Sequence, residues 1–231
     1  MTVVLAIRCD DGLVLAADSQ ITESDRGMSY PAQKLHPLGE HAAWGGSGAR
    51  SVLLELEQVF TTQADEIVGS REVERALQER VLPVLRHHYE HFIPDVPGEE
   101  TSGTPSAYVM AAGYSHGEPF IVEVNPNGMV GRYEQIGFHA IGSGAPMAQQ
   151  AGALLAHFRM TARPVEYGVI AAVRVLDALA QTAPSVGGPL SVCRIRPEGA
   201  EPLEEDDIEA VRDTVRRWED AEQAALDRLF D

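Results

Sequence analysis

Met1-Thr2-Val3-Val4-Leu5-Ala6-Ile7-Arg8-Cys9, then Asp10-Asp11-Gly12, then Leu13-Val14-Leu15-Ala16-Ala17-Asp18 opens the chain. Two apolar runs of β-formers enclose an Asp/Gly turn, so the stretch predicts a hairpin whose second strand ends in a carboxylate. A strand starting at residue 2 ties the terminus into a sheet, where most termini fray. With Met1 removed, Thr2 becomes the first residue, its hydroxyl a candidate nucleophile and its own α-amine the candidate base. The α-amine suits that task because its ordinary pKa, about 7.7–8.0, lies near operating pH. A penultimate threonine alone carries no such meaning; the downstream residues give it weight.

The 231 residues hold 44% hydrophobic and 23% charged side chains, enough apolar material for a sizeable core. A net charge of −17 argues against a nucleic-acid or anionic-membrane surface. Cys9 and Cys193 both fall inside apolar strand-like runs and read as small core residues in a reducing compartment. No charged n-region and h-region lead into the first strand, and no run reaches the length of a membrane span, so a cytoplasmic location is expected. Of the 18 basic side chains only one, Lys34, is lysine. A chain that otherwise chooses arginine keeps its one ammonium either by chance or where a compact, tunable cation is needed.

Outward from the hairpin, Ser19 to Gln33 is polar and reads as a loop or irregular strand. Short strands follow at Lys34–Leu38 and His41–Trp44, running into Gly45-Gly46-Ser47-Gly48. That glycine cluster lacks the P-loop pattern and is read as close backbone approach or N–H groups aimed at a ligand. Apolar residues at helical spacing predict helices over Ala49–Ile67 and Arg71–Phe92. His87 and His91 at the second helix end share a face, but no further ligand cluster accompanies them, and a dipole-favoured polar terminus explains them. Ile93 to Pro105 reads as an exposed loop. Four short strands with turn residues between them, from Ser106 to Ile141, predict an antiparallel meander. Gly142-Ser143-Gly144 then opens helices over Ala145–Met160 and Pro164–Thr182, with Pro164 at a helical N1, and Leu190–Ile195 is a closing strand. Each half thus supplies strands and a helix pair, giving an α+β fold in which two stacked antiparallel sheets are flanked by helices. The domain is expected over 1–199. Residues 200–231 form an acidic amphipathic helix with Ile208, Val211, Val215, Trp218, Ala225 and Leu229 on one stripe, docked on its own domain.

Thr2, Ala16-Ala17-Asp18, Lys34-Leu35, Gly46-Ser47-Gly48 and Gly142-Ser143-Gly144 together resemble the proteasome β-subunit family of N-terminal nucleophile (Ntn) hydrolases, over roughly residues 2 to 195. Counted from Thr2, Asp18, Lys34 and Gly48 stand at the spacing of that family's catalytic Thr, Asp, Lys and oxyanion-loop Gly. The resemblance implies a four-layer αββα sandwich and a self-compartmentalising, ring-forming threonine endopeptidase without metal or cofactor. It gives Thr2 the attack on the scissile carbonyl, Lys34 the lowering of the nucleophile's pKa, Asp18 the orientation of Lys34, Gly48 an oxyanion N–H, and Ser143 a hydrogen bond around the terminal amine. Ile21, Ala32, Gly46 and Arg50 match its specificity pocket; Gly46 would leave that pocket open and Arg50 would favour acidic side chains.

Two features depart from the family pattern. The family's Asp-x-x-Ser-Gly-Gly element is replaced by Ala183-Pro184-Ser185-Val186-Gly187-Gly188, and only Met1 precedes Thr2. The second feature is similar to the simpler bacterial branch without a propeptide, some of whose members work with an unfoldase ATPase. The implied partners are therefore a peptide or unfolded-protein substrate, copies of the chain itself, and such an ATPase. Two other readings stand beside this one: a small-molecule Ntn amidohydrolase, and a catalytically silent structural ring subunit.

Overall fold

The opening hairpin places β1 (Val4–Arg8) antiparallel to β2 (Leu13–Ala17), with Val4 opposite Ala17. Around it the computed structural model describes residues 2–23, 28–94, 103–183 and 186–230. The parts of the predicted loops that fall on 24–27 and 95–102, and Pro184-Ser185, lie outside the described residues.

The other elements, in chain order, are β3 (Gln20–Glu23), β4 (Met28–Pro31), β5 (Leu35–Pro37), β6 (Ala42–Gly48), α1 (Arg50–Val68), α2 (Val73–Glu90), β7 (Ala107–Ser115), β8 (Glu118–Val124), β9 (Val130–Arg132) and β10 (Phe138–Ile141). Then come α3 (Ala145–Leu155), two short 3₁₀ turns, α4 (Val165–Thr182), β11 (Ser191–Arg196), β12 (Gly199–Pro202) and α5 (Glu205–Asp227). One five-stranded antiparallel sheet has the order β10-β1-β2-β11-β12 and the other the order β5-β6-β7-β8-β9.

Period-two side-chain alternation builds the layers. On β1 and the residue before it, Val3, Leu5 and Ile7 pack with Val165, Val169, Ala172 and Leu176 of α4. Val4 and Ala6 face the other way, into a core shared with Ala43, Met110, Ala112 and Ile121 of the second sheet. On the far side of that sheet, Trp44, Val109, Ala111, Phe120 and Val122 pack against Val52, Leu56 and Phe60 of α1 and Leu77, Val81 and Leu85 of α2. Three apolar layers between four layers of structure make an αββα sandwich.

Several boundaries differ from the sequence reading. The terminal helix starts at Glu205 rather than residue 200, because Gly199–Pro202 is β12 and pairs with β11 at the edge of the first sheet. The glycine cluster Gly45 to Gly48 is not a loop but the end of β6. Glycine is needed in that strand because a Cβ at Gly45 would lie 2.9 Å from Val4 Cγ1 in the facing sheet. The strands from Ser106 to Ile141 are not one meander. β7-β8-β9 are, but β10 crosses to pair with β1, in the register Val4 opposite Ile141. The helix predicted to Met160 stops at Leu155 and breaks into the 3₁₀ turns, with Arg159 between them in the left-handed region at φ +53°. Pro164 is the N-cap of α4 rather than its first turn residue.

α5 lies on α4 of the same chain, burying Ile208 and Val215. Two planar forks fasten the pair: Arg212 to Asp177 at 2.9 and 3.0 Å, and Arg174 to Glu222 at 3.0 and 2.6 Å, with Trp218 under the Arg174 guanidinium at 4.0 Å. Bidentate geometry of this kind is available to arginine and not to lysine. The end of the stripe does not dock, and Leu229 is 76% exposed. Among the described residues no helix is long and apolar enough to cross a membrane.

Both cysteines are free and buried, and burial pushes each thiol up to about 12. The native protein at pH 8 is therefore expected to be inert to a disulfide chromogen over minutes, and to release two equivalents of thiol in guanidinium, since the thiolate is the reactive form. Rapid native reaction of either thiol would place it outside the core.

Candidate active site

The β1–β2 hairpin carries its own extension. One step beyond the Val4–Ala17 pair, the Val3 N–H donates to Asp18 Oδ1 at 2.9 Å, and the Asp18 N–H donates to the Val3 carbonyl at 3.3 Å. Thr2 is held from the other side by the loop after β10. Its N–H donates to Ser143 Oγ at 3.1 Å, and its carbonyl accepts from the Gly144 N–H at 3.1 Å. Gly142 sits at φ +97°, and a Cβ there would overlap the Thr2 carbonyl oxygen and lie 2.9 Å from its carbon. The peptide of Thr2 is thus clamped between the end of β2 and the Gly142–Gly144 turn.

Asp18 is fully buried and its carboxylate is saturated with donors. Besides Val3, Oδ1 accepts from Lys34 Nζ at 2.8 Å, while Oδ2 accepts from the N–H groups of Gln20 at 3.2 Å and Gly187 at 3.4 Å. Lys34, just before β5 and 7% exposed, also donates to the Gln20 carbonyl at 2.7 Å. Burial pushes the Lys34 ammonium below the usual lysine range, against the pull of the Asp18 carboxylate.

Thr2, Lys34, Gly48 and Ser143 all line one cavity of about 680 Å³. Ile21, Ala32, Gly46 and Arg50 line it too. Gly48, at φ +132°, ends β6; a Cβ there would come within 2.7 Å of Ala107 Cα on β7, so only glycine fits. The room that Gly46 was expected to leave is filled by Leu53, whose Cδ2 occupies the place a Cβ would take. Arg50 stands exposed in the first turn of α1, with Nη1 on the Tyr30 hydroxyl at 2.9 Å. A second cavity, of about 440 Å³, shares Ser47, Gly48 and Ser143 with the first.

Sequence reasoning missed Trp44, Leu53, Leu54, His36 and Glu57 on the cavity wall. The pattern for them is present. Lys34 and His36 alternate across the buried Leu35, and Arg50, Leu53, Leu54 and Glu57 fall on one face of α1. His36 stacks on Trp44 with ring centroids 4.9 Å apart, and its Nδ1 is 3.2 Å from Glu57 Oε1. Burial holds the imidazole below the usual histidine range, although Glu57 pulls it up. Among the described residues no group of three or more His, Cys, Asp or Glu could hold a metal ion.

In the segment after α4, Ala183 and Val186 are buried in the core under the first sheet. Among its described residues, Gly187 serves the site through its backbone. Gly187 donates to Asp18, and its carbonyl accepts from the N–H groups of Ser19 and Gln20 at 3.1 and 2.9 Å.

A four-layer αββα sandwich with the chain start seated between its sheets is an Ntn-type fold, and solved structures bear this out. The chain is similar, at 17% identity and TM-score 0.74, to an Anbu (Gly-1) mutant from Hyphomicrobium sp. strain MC1, with all of both chains covered. It is similar, at 17% identity and TM-score 0.72, to Anbu, described as an ancestral β-subunit, from Yersinia bercovieri, over 97% of this chain and 95% of that one. The proteasome-subunit family model matches residues 2–81 of the chain. Proteins similar to the chain include proteasome subunit beta 1 of Streptomyces avermitilis, 26% identical over 225 residues that cover 90% of this chain and 74% of the relative. They also include proteasome subunit beta 1 of Thermococcus kodakarensis, 25% identical over 213 residues, 91% of this chain and 96% of that one.

Proposed function

We propose that this chain is an N-terminal threonine endopeptidase that works within a ring of its own copies, with Thr2 as nucleophile once Met1 is removed. The observation that carries the reading is the buried Lys34–Asp18 pair, whose carboxylate also fixes Val3, the residue next to Thr2. A scaffold has no use for a desolvated ion pair beside its terminus, because such a pair gives little or no net stability.

The chemistry follows from the placement. Hydrolytic loss of Met1 converts the Thr2 N–H, already directed at Ser143 Oγ, into an α-amine. That amine, directly or through a water, takes the proton from Thr2 Oγ as the oxygen attacks the substrate carbonyl. The Lys34 charge favours the alkoxide, and the Gly48 N–H stabilises the tetrahedral oxyanion, a donor of the kind worth about 2.7–4 kcal/mol. Collapse breaks the C–N bond. The departing amine carries off the proton, and an ester on Thr2 remains. Water then hydrolyses the ester and returns Thr2. The two cavities that meet at Ser47, Gly48 and Ser143 support a chain substrate extending to both sides of the cleaved bond, which favours an endopeptidase over a small-molecule amidohydrolase.

One observation favours the silent ring subunit: the apolar, buried Ala183 and Val186 give the terminal amine no side-chain support. A single experiment separates the two. Intact-mass analysis after incubation with a peptide epoxyketone is expected to show loss of Met1 and one adduct per chain, and no adduct in Thr2→Ala. Free Thr2 that never reacts would sink the peptidase reading. Native mass of the same sample, expected at a multiple of the 25.0 kDa chain, tests the ring.

A further inference from the structure

Of the charged groups that line the Thr2 cavity, two are already engaged. Lys34 is held by Asp18 and the Gln20 carbonyl, and Arg50 is held by the Tyr30 hydroxyl. Among the described residues one carboxylate lines the cavity as well, that of Glu57. It lies two helical turns beyond Arg50 on the same face of α1, so the two charges stand roughly 10 Å apart along the helix axis. Between them the wall is Leu53 and Leu54, with Trp44 and Ala32 also lining the cavity. This side of the cavity is therefore an apolar sleeve with a carboxylate along its wall.

One Glu57 oxygen meets His36 Nδ1 at 3.2 Å, and among the described residues the other has no hydrogen-bond partner. The Glu57 side chain is 43% exposed to the cavity and solvent. His36 does not cancel its charge at neutral pH, because burial against Trp44 disfavours the imidazolium. A substrate side chain that suits this sleeve has a long aliphatic stem for the leucines and a cationic head for Glu57, which describes arginine or lysine. The chain's net charge of −17 draws cationic peptides toward the site as well.

Resting on the Thr2 reading, we infer that the enzyme cleaves after basic residues and that Glu57, not Arg50, sets this preference. The arrangement reverses the acidic preference that Arg50 alone would imply.

The test has two arms. In the first, three peptide epoxyketones that differ only in carrying Arg, Leu or Asp next to the warhead react with the full chain, and adduct formation is timed by intact mass. The Arg probe is expected to react about ten- to hundredfold faster than the other two, the worth of a hydrogen bond to a charged group. In Glu57→Gln that ratio is expected to fall to near unity. In the second arm, calorimetry measures binding of the matching peptide amides to Thr2→Ala and to Thr2→Ala/Glu57→Gln, where no chemistry intervenes. The same Arg preference and the same loss are expected. Faster reaction or tighter binding of the Leu or Asp probe, or an Arg preference that survives Glu57→Gln, overturns the assignment. Absence of every adduct beside an intact Arg preference in binding would instead overturn the nucleophile.

Discussion

Asp18→Asn is expected to lose about 3–5 kcal/mol of folding stability and to stop acylation at Thr2, because removing one partner of a buried pair strands the other. The cause lies in donor count. Asp18 accepts from four donors, two at each oxygen: Val3 N–H and Lys34 Nζ at Oδ1, Gln20 and Gly187 N–H at Oδ2. An asparagine amide puts an N–H₂ group against two of those donors whichever way it is turned. Lys34 is left with the Gln20 carbonyl as its acceptor. Urea unfolding at pH 7 and fixed protein concentration measures the loss. Lys34→Met in the same background removes the stranded charge and is expected to return part of the stability but none of the activity.

The pH dependence of Asp18→Asn identifies the charge. Lys34 is already pushed below the usual lysine range by burial, and Asp18 opposes that shift. Without Asp18 the folded-state pKa falls further below the unfolded one, so the unfolded chain binds more protons. Stability of Asp18→Asn must then rise as pH climbs through the window beneath the ordinary lysine pKa, and more steeply than in the wild type. A mutant whose stability is flat across that window would mean Lys34 is not the stranded group.

Gly142→Ala is the second large effect. The residue sits at φ +97°, where a side chain is strained, and its Cβ would overlap the Thr2 carbonyl oxygen. Strain of this kind and overpacking each cost roughly 1–3 kcal/mol. The overlap can be relieved by moving the Thr2 peptide away from Ser143 and Gly144, so acylation should fall by at least about 100-fold, as for misplaced reacting groups generally. Adduct formation timed by mass and urea unfolding measure the two losses. Normal acylation in a stable Gly142→Ala protein would show that the turn does not position Thr2. Gly103, also at positive φ but with open space around it, is the control: Gly103→Ala is expected to leave acylation unchanged.

Much of this was legible in the chain and some was not, for physical reasons. The β1–β2 hairpin is written in Val, Leu, Ile and an Asp-Asp-Gly turn, and its register delivers Asp18 to Val3 without further help. The four layers follow from strands apolar on both faces, such as Leu13 to Ala17, which is buried throughout. The path of β10 was not legible. Phe138 to Ile141 looks like a fourth meander strand, and only long-range pairing with β1 takes it across. Gly45 to Gly48 look like a loop by propensity, yet the packing of Val4 and Leu53 against them makes glycine the residue that the strand requires there. In the cavity, Lys34 drew notice as the one lysine, whereas Glu57 is one of 35 acids and is singled out only by the helix face it shares with Arg50.

The seating of Thr2 also has a consequence for the order of events in synthesis. Thr2 precedes in the chain everything that fastens it: its holds come from residues 143 and 144, and the last donor to Asp18 comes from residue 187. Chains are made from the N-terminal end and domains fold as units. A nascent chain therefore has Thr2 long before it has the seat for it. The seat is complete only when the chain has been made and folded past residue 187. On the proposed reading, this dependence makes the seating of Thr2 a check that the fold is complete.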